Sequence, residues 1–470
     1  MNARLSWLCA ALLLSACSVG PNYQAPSLNV PAQFRQVQGW KNAQPADGLE
    51  SGACWQLYQD ETLNQLIEQM KAGNQSLAAS EARYRSARAL VQGSRARLLP
   101  ELRQGVEKSR SGNASGASNS YNLTTSASWE LDLWGKLRRQ LESDKANLAA
   151  SAADLAAVQL SLSAELTQNY LQLRVLDEQK RLLDRSTAAY QRSLKLTENQ
   201  YQAGIVPKSD VSQALAQLKS TEAQAIDLEY RRAQLEHAIA VLIGKAPADF
   251  AIAEVAQLPH LPPIPAELPS ALLERRPDIA AAQRRTIAAN ASIGVEQAAW
   301  YPDLTLSASG GWRSGSFDQW ISAPNRLWSL GAGFAAPLFD GGRIRARVQQ
   351  AEAAYEQTVA DYRQTVLESF REVEDALIEL AVLEREYAVQ QEALAAAQES
   401  LRLIENQYRA GTVDYNSVIN VQTSALSSER SLLQLKSSQL AASTALLKAL
   451  GGGWQQSQLQ EEPVIQQATQ

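Results

Sequence analysis

The chain repeats itself. Glu198-Asn199-Gln200-Tyr201-Gln202-Ala203-Gly204 returns as Glu405-Asn406-Gln407-Tyr408-Arg409-Ala410-Gly411, 207 residues later. Gly135-Lys136-Leu137-Arg138 returns at the same interval as Gly342-Arg343-Ile344-Arg345, so nothing is inserted or deleted between these landmarks. Upstream, Leu99-Pro100-Glu101-Leu102 corresponds to Tyr301-Pro302-Asp303-Leu304, at an interval shorter by five residues. The second copy therefore carries the longer loop between Pro302 and Gly342. A repeat with these landmarks in the same order establishes an internal duplication.

Between its landmarks each copy reads as one very long helix. From Gly135 to Tyr201 there is no proline and no further glycine, and Ala, Leu, Gln, Glu and Arg dominate. Leu141, Leu148, Leu155, Leu162, Leu176 and Leu183 recur at sevens, interrupted by Asn169. Leu166, Leu173, Leu194 and Tyr201 form a second line. In the second copy that line is Val359, Val366, Val373, Leu380, Tyr387, Leu394, Leu401 and Tyr408. A sustained period of seven predicts left-handed supercoiling against neighbouring helices. A helix of about 67 residues is roughly 100 Å long at 1.5 Å per residue. Gly204 and Gly411 suit the left-handed residue that ends a helix, and Pro207 suits the first turn of a return helix.

A different period lies just upstream of each long helix. Tyr121, Leu123, Thr125, Ala127, Trp129, Leu131 and Leu133 alternate with Asn122, Thr124, Ser126, Ser128, Glu130 and Asp132. The second copy alternates in the same way over 304–313 and 328–338. Period two with one apolar and one polar face predicts half-exposed strands. Gln104 and Lys108 spoil the apolar face of the strand over 101–110, and the Gly-, Ser- and Asn-rich stretch 111–120 reads as its exposed hairpin tip. Strands of this length with aromatics near their ends match membrane β-strands; a soluble hairpin lying on a core shows the same alternation. In a membrane, four strands are too few to close a barrel, and open edges are not tolerated in lipid. On that reading several chains share one barrel.

The N-terminus sets the compartment. Arg4 precedes an apolar run from Leu5 to Leu14, of signal-peptide length and too short to span a bilayer. It ends in Leu14-Ser15-Ala16-Cys17, which looks like a lipobox whose Cys17 thiol is acylated; a plain signal peptide with an incidental cysteine is the alternative. Ser18 rather than aspartate follows, favouring the outer membrane. Of the 3 cysteines, Cys9 leaves with the signal and Cys17 is lipidated, so Cys54 has no intramolecular disulfide partner. With 44 basic and 49 acidic residues the net charge of -5 offers no footprint for nucleic acid.

These signals divide the chain into a signal peptide (1–16), a lipidated periplasmic segment (17–75), a first repeat (76–244), a proline-rich crossover (245–270), a second repeat (271–450) and a polar tail (451–470). Hairpins fall at 100–133 and 302–339, long helices at 135–203 and 343–410, and return helices at 207–244 and 414–450.

Cys17-Ser18-Val19-Gly20-Pro21-Asn22-Tyr23, Leu272-Leu273-Glu274-Arg275-Arg276-Pro277-Asp278-Ile279, Leu450-Gly451-Gly452-Gly453-Trp454 and the duplicated Tyr-x-Ala-Gly turns carry a resemblance. The sequence resembles the TolC-like outer-membrane factors of tripartite efflux pumps, in their lipoprotein branch. The resemblance implies a mainly α, mixed α/β membrane protein: a trimeric twelve-stranded transmembrane β-barrel continued by a long periplasmic α-helical barrel. It implies a periplasmic adaptor and an inner-membrane pump as partners, and helix-turn-helix tips that close the tunnel. The tips are then 201–213 and 408–422, with Tyr201, Gly204, Asp210, Tyr408, Arg409, Gly411, Asp414, Asn416 and Asn420 as gate or adaptor residues. Asp210 and Asp414 also suit N-capping of the return helices. Related lipoprotein channels usually carry a bulky apolar residue and an aspartate where this chain has Asn416 and Asn420. Asparagine rings hydrogen-bond but carry no charge.

Four other functions stand beside this one, among them a lipid-anchored structural coiled coil. A polypeptide-secretion exit duct would share the architecture. A lipid-anchored adaptor needs neither the second hairpin nor the membrane-type strands. An enzyme would have to work with the isolated His237 and His260, and no nucleophile motif, metal spacing or phosphate loop accompanies them. No cofactor and no bound metal are expected. Met1 and Met70 are the only methionines, too few for a soft-metal relay.

Overall fold

The computed structural model describes residues 18–27, 54–114, 116–255, 258–262 and 276–452. In chain order the elements are α1 (Glu61–Gly73), α2 (Gln75–Ala96), β1 (Glu101–Asn113), β2 (Gly116–Leu131), α3 (Lys136–Gln202) and α4 (Lys208–Leu242). Then follow α5 (Pro277–Ala298), β3 (Asp303–Ser314), β4 (Arg326–Ala335), α6 (Arg343–Arg409) and α7 (Tyr415–Ala449). The long helices α3 and α6 have 67 residues each, and the return helices α4 and α7 have 35 each. Each of these pairs starts 207 positions apart.

The long helices end where a glycine turns left-handed. Gly204 and Gly411 both have φ 74°. The amide of Ile205 donates to the carbonyl of Gln200, and that of Gly204 to Tyr201, both at 2.9 Å. Thr412 to Gln407 and Gly411 to Tyr408 repeat the arrangement at 3.0 Å. These bonds satisfy carbonyls that the helix end leaves free, and a β-carbon at either glycine would be strained.

The chain separates into two compact units. Unit one comprises residues 1–28, 81–154 and 278–365; unit two comprises 29–80, 155–277 and 366–470.

Unit one holds a four-stranded antiparallel sheet in the order β1-β2-β3-β4, so the β2–β3 pair joins the two sequence copies. Its register sorts the side chains onto two faces, with Gln104 and Lys108 as polar exceptions on the apolar one, because directly paired residues share a face. Val106, Leu123 and Trp312 are aligned on one face, as are Trp129, Leu306 and Ala332, and Leu131, Leu304 and Phe334. The opposite face aligns Glu101, Ser128, Ser307 and Gly331, then Arg103, Ser126, Ser309 and Ser329. The apolar face is open: Leu102, Trp328, Leu330 and Phe334 are all exposed. Gly311 is required for close approach, since a β-carbon there would lie 1.9 Å from the Leu123 carbonyl oxygen.

The first hairpin differs from the expectation. The ladder continues through the stretch 111–120 to Asn113 opposite Gly116, so the turn is far tighter than a ten-residue tip. Pairing along β2 overrides the loop-like composition of this segment.

Aromatics mark both ends of the strands. Trp134 stacks on Tyr301 at 4.8 Å and donates its indole N–H to the Pro302 carbonyl. At the other end Tyr121, Phe317 and Trp320 cluster with centroids 5.6–5.9 Å apart. From Tyr121 to Trp129 is eight residues, about 27 Å at the antiparallel rise.

Just after Cys17, residues 19–22 are fastened to the start of α3. The Val19 amide donates to the Trp134 carbonyl, and the Arg139 guanidinium donates to the carbonyls of Val19 and Gly20 and to Asn22 Oδ1.

The core of unit two joins α1 to the middle of α3 and to the return helices. Leu63, Met70, Leu166, Leu173 and Ile239 are fully buried there. The Tyr58 hydroxyl bonds to Ser443 Oγ at 2.7 Å and to Thr444 Oγ1 at 2.9 Å. Met70 is thus a core residue, and Cys54 is a free, buried thiol. Among the described residues, no helix is long and apolar enough to cross a membrane.

Candidate functional site

The two helical turns of unit two converge. Tyr408, 6% exposed, sends its hydroxyl from α6 to Gln200 Oε1 on α3 at 2.6 Å. Its ring packs on Tyr415 with centroids 5.5 Å apart, and the Tyr415 hydroxyl meets Ser193 Oγ at 3.2 Å. Ala214 and Val418 complete this buried cluster. Burial raises the Tyr408 and Tyr415 phenols above the usual tyrosine range, so both remain protonated across the physiological range.

The expected gate residues divide into three groups. Tyr408 lies inside the cluster, while its first-copy counterpart Tyr201 is 45% exposed. Gly204 and Gly411 form the turns themselves. Arg409 is exposed and pairs with Glu405 of its own helix at 3.7 Å. Asn416 and Asn420 are both exposed and lie four residues apart on the first turns of α7, hence on one helix face.

The two aspartates behave differently. Asp414 is the N-cap of α7: its carboxylate accepts from the Ser417 amide at 2.9 Å and from the Ser417 hydroxyl at 2.7 Å. The Ser417 hydroxyl, then the Ser417 amide, hold the Asp414 carboxyl below the usual carboxylate range. Asp210 does not cap α4. Pro207 occupies the N-cap position and makes no side-chain cap bond, while Asp210 sits within the first turn and accepts from Ser209 Oγ at 3.2 Å.

A second polar cluster was not singled out from sequence. Arg174 and Asp177, both with side chains 3% exposed, pair at 3.1 Å on α3. Asp177 also receives the Arg232 guanidinium at 2.7 Å. The two arginines donate to the carbonyls of Ala253 and Ile252 at 2.7 and 2.6 Å, which clamps the segment following α4 onto the helices. Every charge here is paired, as burial requires.

The sequence profile of the outer membrane efflux protein family matches residues 66–245 and again 268–452. This chain belongs to the outer membrane efflux protein family. The pyoverdine export outer membrane protein OpmQ of Pseudomonas putida is 34% identical over 462 residues, spanning 95% of this chain and 96% of the relative. The cation efflux system protein CusC of Escherichia coli is 30% identical over 456 residues, spanning 95% and 98%. Among solved structures, the outer-membrane channel OprN superposes with a TM-score of 0.87 at 32% identity, covering 93% of this chain and 100% of that one. The resemblance read from the motifs is therefore the right family, and the chain is an outer-membrane efflux channel protein.

Within this outer-membrane efflux protein, sequence reasoning missed Gln200 as the partner of Tyr408. Gln200 stands inside the repeated Glu-Asn-Gln-Tyr motif, so the only available signal was that the two copies of that motif could touch each other. Cys17 and residues 272–275 lie outside the described residues.

Proposed function

We propose that three copies of this chain form one outer-membrane channel, each contributing four strands to a twelve-stranded barrel and four helices to a periplasmic tunnel. The observation that carries this reading is the sheet of unit one. It exposes an apolar face, interrupted on β1 by Gln104 and Lys108, and among the described residues β1 and β4 stand at its edges with no outer partner. In water that face would be an aggregation site; in lipid it is the required outer surface, provided that the edges pair with other copies. The serine- and glycine-rich face then lines the pore.

The Cys17 lipid sits beside this barrel, since residues 19–22 are held near the strand–helix junction. The tips at 201–213 and 408–422 form the periplasmic end, where an adaptor and an inner-membrane pump engage. The channel is a passive duct for small molecules. OpmQ is named for pyoverdine and CusC for cations, two chemically different cargoes on one family's fold, which favours cargo selection by the pump.

Native mass spectrometry in mild detergent tests the assembly: a trimer is expected, and a folded monomer would overturn it. Fatty-acid labelling tests the anchor. Wild type should incorporate label and Cys17→Ala should not; equal labelling of both would remove Cys17 from the account.

A further inference from the structure

Lys108 is the charged misfit on the apolar face of the sheet. It stands directly opposite Tyr121, with its ammonium 5.5 Å from the centre of the Tyr121 ring. Two more cations share that face toward the same end. Arg110 follows Lys108 by two residues, and Arg326, which opens β4 opposite Trp312, has the parity of Trp328 and Leu330. All three are exposed, and among the described residues no carboxylate pairs with any of them. Glu107 and Arg313, aligned through Asn122, belong to the opposite, polar face. Asp318 lies in the connection between β3 and β4.

This end of the sheet points away from the helices. They leave from the other end, since β1 starts just after α2 and β2 stops just before α3. Tyr121 is eight residues from Trp129, and the apolar band of a membrane barrel is about 25 Å tall with aromatics at both interfaces. The Tyr121 row is therefore the outer girdle, and the three cations lie beside it or beyond it. On a lipid-facing surface a cation is costly at mid-membrane and tolerated at this level, where a long side chain reaches the headgroups.

The cations occupy β1 and β4, the two edges of the sheet. When the edges of two copies pair, strand length limits the register. β4 has 10 residues and β1 has 13. If all of β4 pairs antiparallel within β1, Ala335 falls opposite Glu101 or a later residue, and Arg326 falls opposite a residue from Arg110 to Asn113. Keeping the lipid-facing sides together leaves Arg110 or Gly112. Either register puts Arg326 of one copy within two residues of Arg110 of the next, on one face. Such side chains are about 4.5–8 Å apart, and like charges that close repel. An anion between them removes the repulsion.

We infer that each seam between copies binds the phosphate of an outer-leaflet lipid, through Lys108 and Arg110 of one chain and Arg326 of the next. Guanidinium forks match phosphate oxygens in geometry as well as charge. The occupant is a lipid because the three side chains lie on the membrane-facing side of the sheet, next to exposed Val106 and Trp328 that acyl chains would cover. The inference rests on the trimeric barrel proposed above and adds a ligand to its seams.

The test is native mass spectrometry of the purified protein in mild detergent with added lipid A, a diphosphorylated lipid. Wild type should be a trimer carrying up to three lipids, one at each seam. Lys108→Gln/Arg110→Gln/Arg326→Gln should bind at least roughly tenfold more weakly, as loss of three interfacial charges implies. Arg326→Gln alone and Lys108→Gln/Arg110→Gln should each fall between, because both edges contribute; these two also keep the comparison if the triple variant fails to assemble. Inorganic phosphate at the lipid's concentration should leave the complex intact. Trimers of wild type and variants that bind lipid A equally would overturn the site while leaving the trimer standing. Displacement by equal inorganic phosphate would overturn the lipid as occupant. A monomeric wild type would overturn both readings.

Discussion

The Tyr408 hydroxyl of the second copy donates to Gln200 Oε1 of the first, 2.6 Å away and 208 positions apart in sequence. This bond ties the two helical turns of one chain to each other. Tyr408→Phe keeps the ring packed on Tyr415 and removes only the donor. The loss should be about 0.5–1.5 kcal/mol, typical of one hydrogen bond. If the turns close the channel, closed-state leak current should rise in the variant; unchanged leak would show that the bond does not hold the gate.

Asp414 and Asp210 make a paired test of capping. Asp414→Ala should speed amide exchange at Ser417, while Asp414→Asn should preserve protection, since asparagine caps as well. Asp210→Ala should leave the first turn of α4 unchanged. The folded pKa of Asp414 is depressed. Its contribution is therefore fully present above the unfolded value of about 3.9, and is lost as pH falls through the lower folded value. Protection at Ser417 should hold at neutral pH and fade only in acid.

Asn416 and Asn420 present an exposed amide pair. In a trimer, Asn420→Asp would bring three carboxylates together, and their repulsion should raise the pKa of at least one. Conductance should become more cation-selective and more pH-dependent at low salt, with the effect fading as ionic strength rises. Identical reversal potentials for the two proteins at low salt would remove Asn420 from the pore wall.

Arg174→Ala leaves Asp177 buried with only Arg232 as its ionic partner. Breaking a buried pair costs about 3–5 kcal/mol, and the remaining arginine places this case near the lower end. The urea midpoint should fall, and limited proteolysis should cut within 247–255, where Arg174 no longer holds the Ala253 carbonyl. An unchanged midpoint would mean that the cluster does not stabilise unit two.

Much of the architecture is legible in the sequence for local physical reasons. The long helices lack proline and glycine, and each ends at a glycine that turns left-handed, so α3 and α6 need no tertiary information to be located. The second-copy heptad line is equally direct: Val366, Val373 and Leu380 are buried. Contacts across the duplication are another matter. Gln200 reads as one more polar residue of a helical motif until the second copy is placed beside it. Arg174 and Asp177, three residues apart, read as a solvated helix pair until the segment after α4 covers them. The tip at 113–116 is masked by serines and glycines whose loop preference is overridden by the ladder.

The most direct measurement is the current carried by purified protein reconstituted in a planar bilayer. Three copies sharing one barrel predict discrete, uniform single-channel steps that scale with bulk conductivity, from preparations shown to be trimeric. Trimeric protein that inserts into the bilayer and carries no current would contradict the channel outright.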